Sequence, residues 1–239
     1  ARSEGSTSVM YAGRVALAGD IDAAGGLIDI IHFVHANNWS GRISYSLSKA
    51  DGTAYDQADR NQYQVGTNLN LDLLNGPSNV DRRHILSIGA QYDVPRTGGL
   101  SLSTTTRYMS GAPFTIFDSS IDADKNGELV DPVPAGTYSG AATNPDAMQN
   151  VENKGGRNGA IGPDYFQIDM RASYRRKIGQ QKSAELYFDL YNITNRANFD
   201  NPLTANSDRR LPASFLVLTN LRGGGGFPRQ VQIGFRFAF

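Results

Sequence analysis

The last eleven residues, Arg229 to Phe239, read RQVQIGFRFAF. From Val231 onward they alternate without a break. Val231, Ile233, Phe235, Phe237 and Phe239 fall on one side, and Gln232, Gly234, Arg236 and Ala238 on the other. Successive side chains of a strand face opposite sides of a sheet, so this is a strand with one apolar and one wet face. The ends of soluble domains are usually polar and frayed. Here aromatic density rises toward the terminus, so the strand must be tied down.

The same period recurs upstream. YFQIDMRASYRRKI (165–178) sets Phe166, Ile168, Met170, Ala172 and Tyr174 against Gln167, Asp169, Arg171, Ser173 and Arg175. SAELYFDLYN (183–192) sets Ala184, Leu186, Phe188 and Leu190 against Glu185, Tyr187, Asp189 and Tyr191. RHILSIGAQYDVP (83–95), GLSLSTTTRYMSG (99–111) and the weaker SGRISYSLSK (40–49) alternate likewise, and two further strands are expected at about 8–18 and 26–34. With the connections, the pattern predicts strands near 8–18, 26–34, 39–49, 81–94, 99–110, 164–177 and 183–193, then the last one. No helical period of useful length is present.

The connections divide into two kinds. PRTG (95–98) and GQQK (179–182) are tight, whereas the stretches near 50–80, 111–163 and 194–228 are long. Long structureless loops count against a compact soluble domain. Alternating short and long connections are expected of outer-membrane barrels, with periplasmic turns and extracellular loops. Each strong strand also offers about 9–11 residues of alternation, the length that crosses a bilayer when tilted. In hydrocarbon every backbone donor and acceptor needs an internal partner, so strands span only in a closed barrel. The terminal strand then turns Val231, Ile233, Phe235, Phe237 and Phe239 to lipid, with Phe239 near the aromatic girdle at the interface.

Composition removes other classes. Lys plus Arg and Asp plus Glu are 23 each, so no net charge argues for nucleic acid. There are no cysteines, which removes disulfides, thiolate catalysis and zinc-thiolate sites. The longest apolar run, LIDIIHFV from Leu27 to Val34, falls short of the roughly 20 residues of a membrane-spanning helix. The chain begins at Ala1 without methionine or a secretory pattern and reads as a processed chain or a fragment.

In their order, YSLSKADGTAYD (45–56), DRRHILSIGAQYDVP (81–95), SGAPFTI (110–116), GRNGAIGPDYFQIDMRASY (156–174), ELYFDLYNITNRANF (185–199) and RQVQIGFRFAF resemble the TonB-dependent outer-membrane transporters, and among them the Oar-like branch. The resemblance covers the chain from about Gly41 onward. It implies a barrel of about 22 strands, of which residues 1–239 would be the C-terminal part with about eight strands. It implies energy-coupled uptake of a solute across the outer membrane of a Gram-negative bacterium, with a plug, an energy-coupling box and a carboxypeptidase-regulatory-like domain outside this chain. The implied partners are outer-membrane lipid, the barrel assembly machinery and, through the plug, the TonB system. Ile233, Phe235, Phe237 and Phe239 match the terminal signal that the assembly machinery reads in that family. Two other readings remain open: a self-contained small barrel acting as an adhesin or structural anchor, and a secreted carbohydrate-binding β-sandwich whose apolar faces pack as a core.

Chemistry-bearing motifs are few. DADKNGELVD (122–131) places Asp122, Asp124, Asn126 and Gly127 at positions one, three, five and six of a calcium loop. Position twelve is Val133 where a bidentate glutamate is wanted, Asp131 would have to substitute, and a plain polar turn competes with calcium. His32, His35 and His84 are scattered and suggest neither a triad nor a metal site. LRGGGGFPR (221–229) has the glycines but not the spacing or lysine of a phosphate loop. No catalytic centre is expected. The inward charges Asp169, Arg171, Arg175, Glu185, Asp189 and Arg236 read as a polar lumen wall more readily than as a substrate path. Tyr138, Asn144, Arg157, Asn158 and Tyr165 are loop candidates for ligand contact.

Overall fold

The computed structural model describes residues 10–17, 26–52, 75–122, 125, 131–179, 181–222 and 227–239. In chain order its strands are β1 Met10–Leu17, β2 Gly26–Ala36, β3 Trp39–Ser48, β4 Asp51–Gly52, β5 Gly76–Pro77, β6 His84–Asp93, β7 Leu100–Met109, β8 Pro113–Phe114, β9 Phe117–Asp118, β10 Asp131–Pro132, β11 Gly136–Tyr138, β12 Val151–Asn153, β13 Ala160–Ile161, β14 Tyr165–Ile178, β15 Lys182–Tyr191 and β16 Gln230–Ala238. The eight long strands form one antiparallel sheet in the order β1-β2-β3-β6-β7-β14-β15-β16, each beside the next in sequence. All eight expected strands are found, with ends shifted by a few residues; residues 8, 9 and 18 of the first lie outside the described residues. The sheet is open: among the described residues no register joins β1 to β16.

Pairing keeps the two faces separate across the sheet. Trp39, Tyr92, Leu102, Ala172, Phe188 and Ile233 stand opposite one another in a single row through six strands. Tyr45, Leu86, Tyr108 and Phe166 form a parallel row nearer the long loops. A one-residue slip at any pair would send a whole apolar set to the other face. The strands are staggered as well: β14 pairs with β7 from Tyr165 but meets β15 only from Met170, the offset of strands tilted in a barrel wall.

The apolar face is bare. Ile233 is 70% exposed and Phe235 66%, whereas a β-sandwich would have packed both as core, so the sandwich reading fails. Trp39 and Tyr92 stack at 4.4 Å between ring centroids beside the short turns, and Phe237 and Phe239 stack at 6.2 Å at the end of β16. Both stacks lie at the short-turn margin of the exposed apolar band, and aromatic rings along such a margin match a surface that meets lipid.

The short connections fit tight reversal. Asn37 and Asn38 join β2 to β3 at φ 50° and 67°, the left-handed pair of a two-residue hairpin. Between β6 and β7, Gly99 sits at φ 137° against the Arg175 backbone carbonyl, where a Cβ would collide.

The described parts of the connections after β7 and after β15 are not structureless loops. Among the described residues, every buried apolar side chain lies between Ala112 and Tyr165 or at Phe215, Leu216 and Val217. Strands β11, β12, β13 and β8 form a four-stranded sheet in that order, and β9 pairs with β10. Phe114, Ile116, Val133, Val151, Ala160, Phe215 and Leu216 pack into one cluster. Residues from the connection after β7 and the connection after β15 therefore share a core, and together they make an ordered cap at the long-loop end. Leu216 is fully buried at φ 55°. That backbone is costly for a branched side chain and persists where packing over-determines it. Residues 53–74 and the glycine run 223–226 lie outside the described residues.

Candidate functional site

Alternation carries the polar side chains of β7, β14, β15 and β16 to the face opposite the apolar band. There five of the six predicted inward charges come together as two cross-strand groups. Arg171 and Asp189 are register partners on β14 and β15. The Arg171 Nε donates to Asp189 Oδ1 at 2.5 Å and its Nη2 to Oδ2 at 2.8 Å, a bidentate pair. Asp189 is 2% exposed, and the Tyr191 hydroxyl donates to its Oδ2 at 3.3 Å. Arg175, Glu185 and Arg236 form the second row: Arg175 Nη2 lies 2.8 Å from Glu185 Oε2 and Arg236 Nη1 4.0 Å from it. Both arginines there are exposed, so this row contributes only about 0–1 kcal/mol per pair and serves chiefly to keep the wall wet. Asp169 belongs to neither row; it accepts from Gln167 Nε2 at 2.8 and 3.0 Å and from the Asn192 backbone N–H at 2.8 Å.

A glycine on β16 completes this wall. The Arg171 guanidinium lies 4.7 Å from the centroid of the Tyr187 ring, and that ring lies across Gly234, its register partner, where a Cβ would collide with it. An aromatic ring laid over a strand glycine covers the backbone that the missing side chain leaves bare. We expect Gly234→Ala to push the ring aside and destabilise the barrel by about 1 kcal/mol. In a double-mutant cycle with Tyr187→Ala the two losses should be clearly non-additive; strict additivity in denaturant unfolding would show that the ring does not rest there.

At the long-loop end of the polar face is a cavity of about 280 Å³. Thr105 and Arg107 of β7, Tyr165, Gln167 and Asp169 of β14, and Tyr191 and Asn192 at the end of β15 line it, with Phe227, Pro228 and Gln230 closing one side. The Tyr165 hydroxyl donates to Gln167 Oε1 at 2.6 Å, and Arg107 makes no ion pair among the described residues. Polar groups that converge in a concave site beside a ring are the usual form of a small-molecule pocket.

The five loop candidates divide. Tyr165 lines the cavity. Asn158 is 1% exposed and donates from Nδ2 to the Pro77 carbonyl at 2.8 Å, while Arg157 Nη2 reaches the same oxygen at 3.4 Å. The Tyr138 hydroxyl donates to the Pro134 carbonyl, and Asn144 Oδ1 accepts from the Asp146 backbone within a turn. These four are engaged in building the cap. Sequence reasoning missed Arg107, although it lies on the polar register of its strand. It also missed Phe227 and Asn192, which stand where alternation has ended and no periodic signal exists.

Of the calcium-loop residues, Asp124, Asn126 and Gly127 lie outside the described residues. Asp131 is buried in β10, in register with Asp118 of β9. Asp118 accepts from the Ser120 hydroxyl and backbone N–H, and Arg209 lies 3.4 Å away. The Ser120 hydroxyl, more than the nearby cations, holds the Asp118 carboxyl below its ordinary range. Asp208 accepts from Ser119 Oγ at 2.6 Å. Among the described residues no three His, Cys, Asp or Glu side chains stand together as a metal site. His84 instead meets the Tyr45 hydroxyl through Nδ1 at 2.8 Å.

Comparison with curated proteins and with solved structures gives no match. Comparison with family models does: the model described as Outer membrane beta barrel domain matches residues 34–232, from the end of β2 into β16. That span holds the apolar rows up to β15 and most of the polar wall behind them, ending just before Ile233. The chain thus belongs to the outer membrane beta barrel domain family, and its place is the outer membrane.

Proposed function

We propose that this chain is the C-terminal part of the barrel of a TonB-dependent outer-membrane receptor of the Oar-like branch, serving energy-coupled uptake of a solute in a Gram-negative bacterium. Its role is non-catalytic: a lipid-facing wall, a polar lumen surface against which a plug rests, and an extracellular cap that admits solute. The observation that carries this reading is the open eight-stranded sheet. Its polar face holds a cavity at the long-loop end, and among the described residues its two edge strands have no partner in each other, as in an arc of a wider barrel. A membrane-embedded sheet needs both edges paired. The family motifs along the chain support the same reading. The exposed Ile233, Phe235, Phe237 and Phe239 are proposed as the face presented to the assembly machinery.

Reading the coding region upstream of Ala1 tests the proposal. Further alternating strands and a plug in frame are the expected result. A start codon and signal peptide directly before Ala1 would leave a self-contained barrel, with adhesion or anchoring by its loops, and would retire the transport reading.

A further inference from the structure

Arg222, on the connection that leads back to β16, is placed at a cost. Its side chain is 10% exposed, and among the described residues none of Nε, Nη1 and Nη2 has a hydrogen-bond partner. A guanidinium carries five N–H donors, and buried donors are almost always met. The carboxylate nearest to it is that of Asp200, with Oδ1 3.6 Å from Nε and half exposed, which is outside hydrogen-bond reach. A second cation stands close by. Arg82 donates from Nη1 to the Ser110 carbonyl at 2.9 Å, and burial together with the charge of Arg222 brings its pKa down to about 10.

Tyr165 links this pair to the cavity. Arg222 lies 5.8 Å from the centroid of its ring, and the same residue lines the cavity beside Arg107. One guanidinium group, that of Arg107, therefore lines the cavity, and that of Arg222, with Arg82 close to it, stands beside the Tyr165 ring. Two carboxylates stand against them, Asp169 in the cavity lining, which accepts from Gln167 and Asn192, and the half-exposed Asp200; three guanidinium groups against two carboxylates leave the balance positive. Charges with low-dielectric surroundings act over longer distances than exposed ones, and an excess of one sign of charge around a cleft concentrates the opposite ion.

We propose that the cavity takes a small oxyanionic solute, bearing carboxylate or phosphate groups, with Arg107 contacting it directly and Arg222, its side chain 10% exposed, together with the half-buried Arg82, supplying a positive field from beside Tyr165. This rests on the reading that the barrel mouth admits a solute, but it does not depend on energy coupling. A volume of about 280 Å³ limits the ligand to a small molecule rather than a polymer.

The test is calorimetric titration of the full-length protein in detergent at low salt, with citrate, inorganic phosphate and glucose as probes. Saturable binding of citrate or phosphate, and none of glucose, is expected; which of the two binds more tightly assigns the carboxylate or phosphate class. Arg107→Gln and Arg222→Gln should each weaken anion binding at least about tenfold, one such step being about 1.4 kcal/mol. Arg107 is exposed, so its variant tests the idea even if Arg222→Gln fails to fold. Glucose binding as tightly as citrate, absence of anion binding, or an unchanged affinity in Arg107→Gln would overturn the proposal. Those results leave energised uptake untouched, whereas loss of the transport reading leaves anion binding as a separate, measurable property.

Discussion

Leu216→Ala will loosen the extracellular cap by about 2–5 kcal/mol while the barrel keeps its strands, because a fully buried leucine cut to alanine loses its transfer energy and leaves a cavity. The site is well suited to show this. Leu216 is 0% exposed and packs with Phe114, Ile116 and Phe215. Its backbone is pinned on both sides, since its N–H donates to the Asn206 carbonyl at 2.6 Å and its carbonyl accepts from Met148 at 2.9 Å. Pinned surroundings collapse poorly, which places the loss toward the upper part of the range. Alanine at φ 55° keeps the backbone strain, so nothing is recovered in exchange. Limited proteolysis should cut the variant within 112–164 and 194–222, and hydrogen exchange there should speed up, while the electrophoretic shift of the heated barrel stays. Unchanged protection in the cap would mean that the two long connections do not share a core.

Phe235→Arg should cost about 2–4 kcal/mol, the penalty for a cation on the lipid face near the bilayer midplane. Gln232→Arg, on the other face of the same strand, should cost little. Phe235 lies near the middle of β16, pairs with Leu186 and is two-thirds exposed. In water such exposure would make the arginine harmless, so the sign of the difference reports the solvent. Denaturant unfolding of both variants in lipid vesicles measures it. Equal midpoints would place β16 outside the hydrocarbon.

Much of this was legible in sequence, for a physical reason: a strand buried on neither face but bounded by two solvents writes its orientation into every second residue. Phe166 to Tyr174 and Ala184 to Leu190 alternate so cleanly that their faces, and the place of Asp169, Arg171, Arg175, Glu185, Asp189 and Arg236 on the polar one, follow without a structure. What alternation does not encode is which inward charges meet. Register supplies that, as when it sets Arg171 opposite Asp189. The cap was illegible because its strands are two or three residues long, too short for any period. Its closing contacts, such as Phe117 beside Asp208, join segments far apart in the chain. Arg222 has no local signature either; its meaning comes from the Tyr165 ring beside it, which lines the cavity.

The shared core also constrains the order of events in assembly. Phe114 and Ile116 leave the membrane after β7, but Phe215 and Leu216 arrive only after β14 and β15 have crossed it and returned. Such distant segments must wait until the loop between them is closed. The cap therefore cannot mature until the β14–β15 hairpin is seated, and its completion acts as a latch over that hairpin. A chain stalled before β15 would expose Phe114 and Ile116 at the cell surface, a hydrophobic mark by which incomplete barrels differ from finished ones.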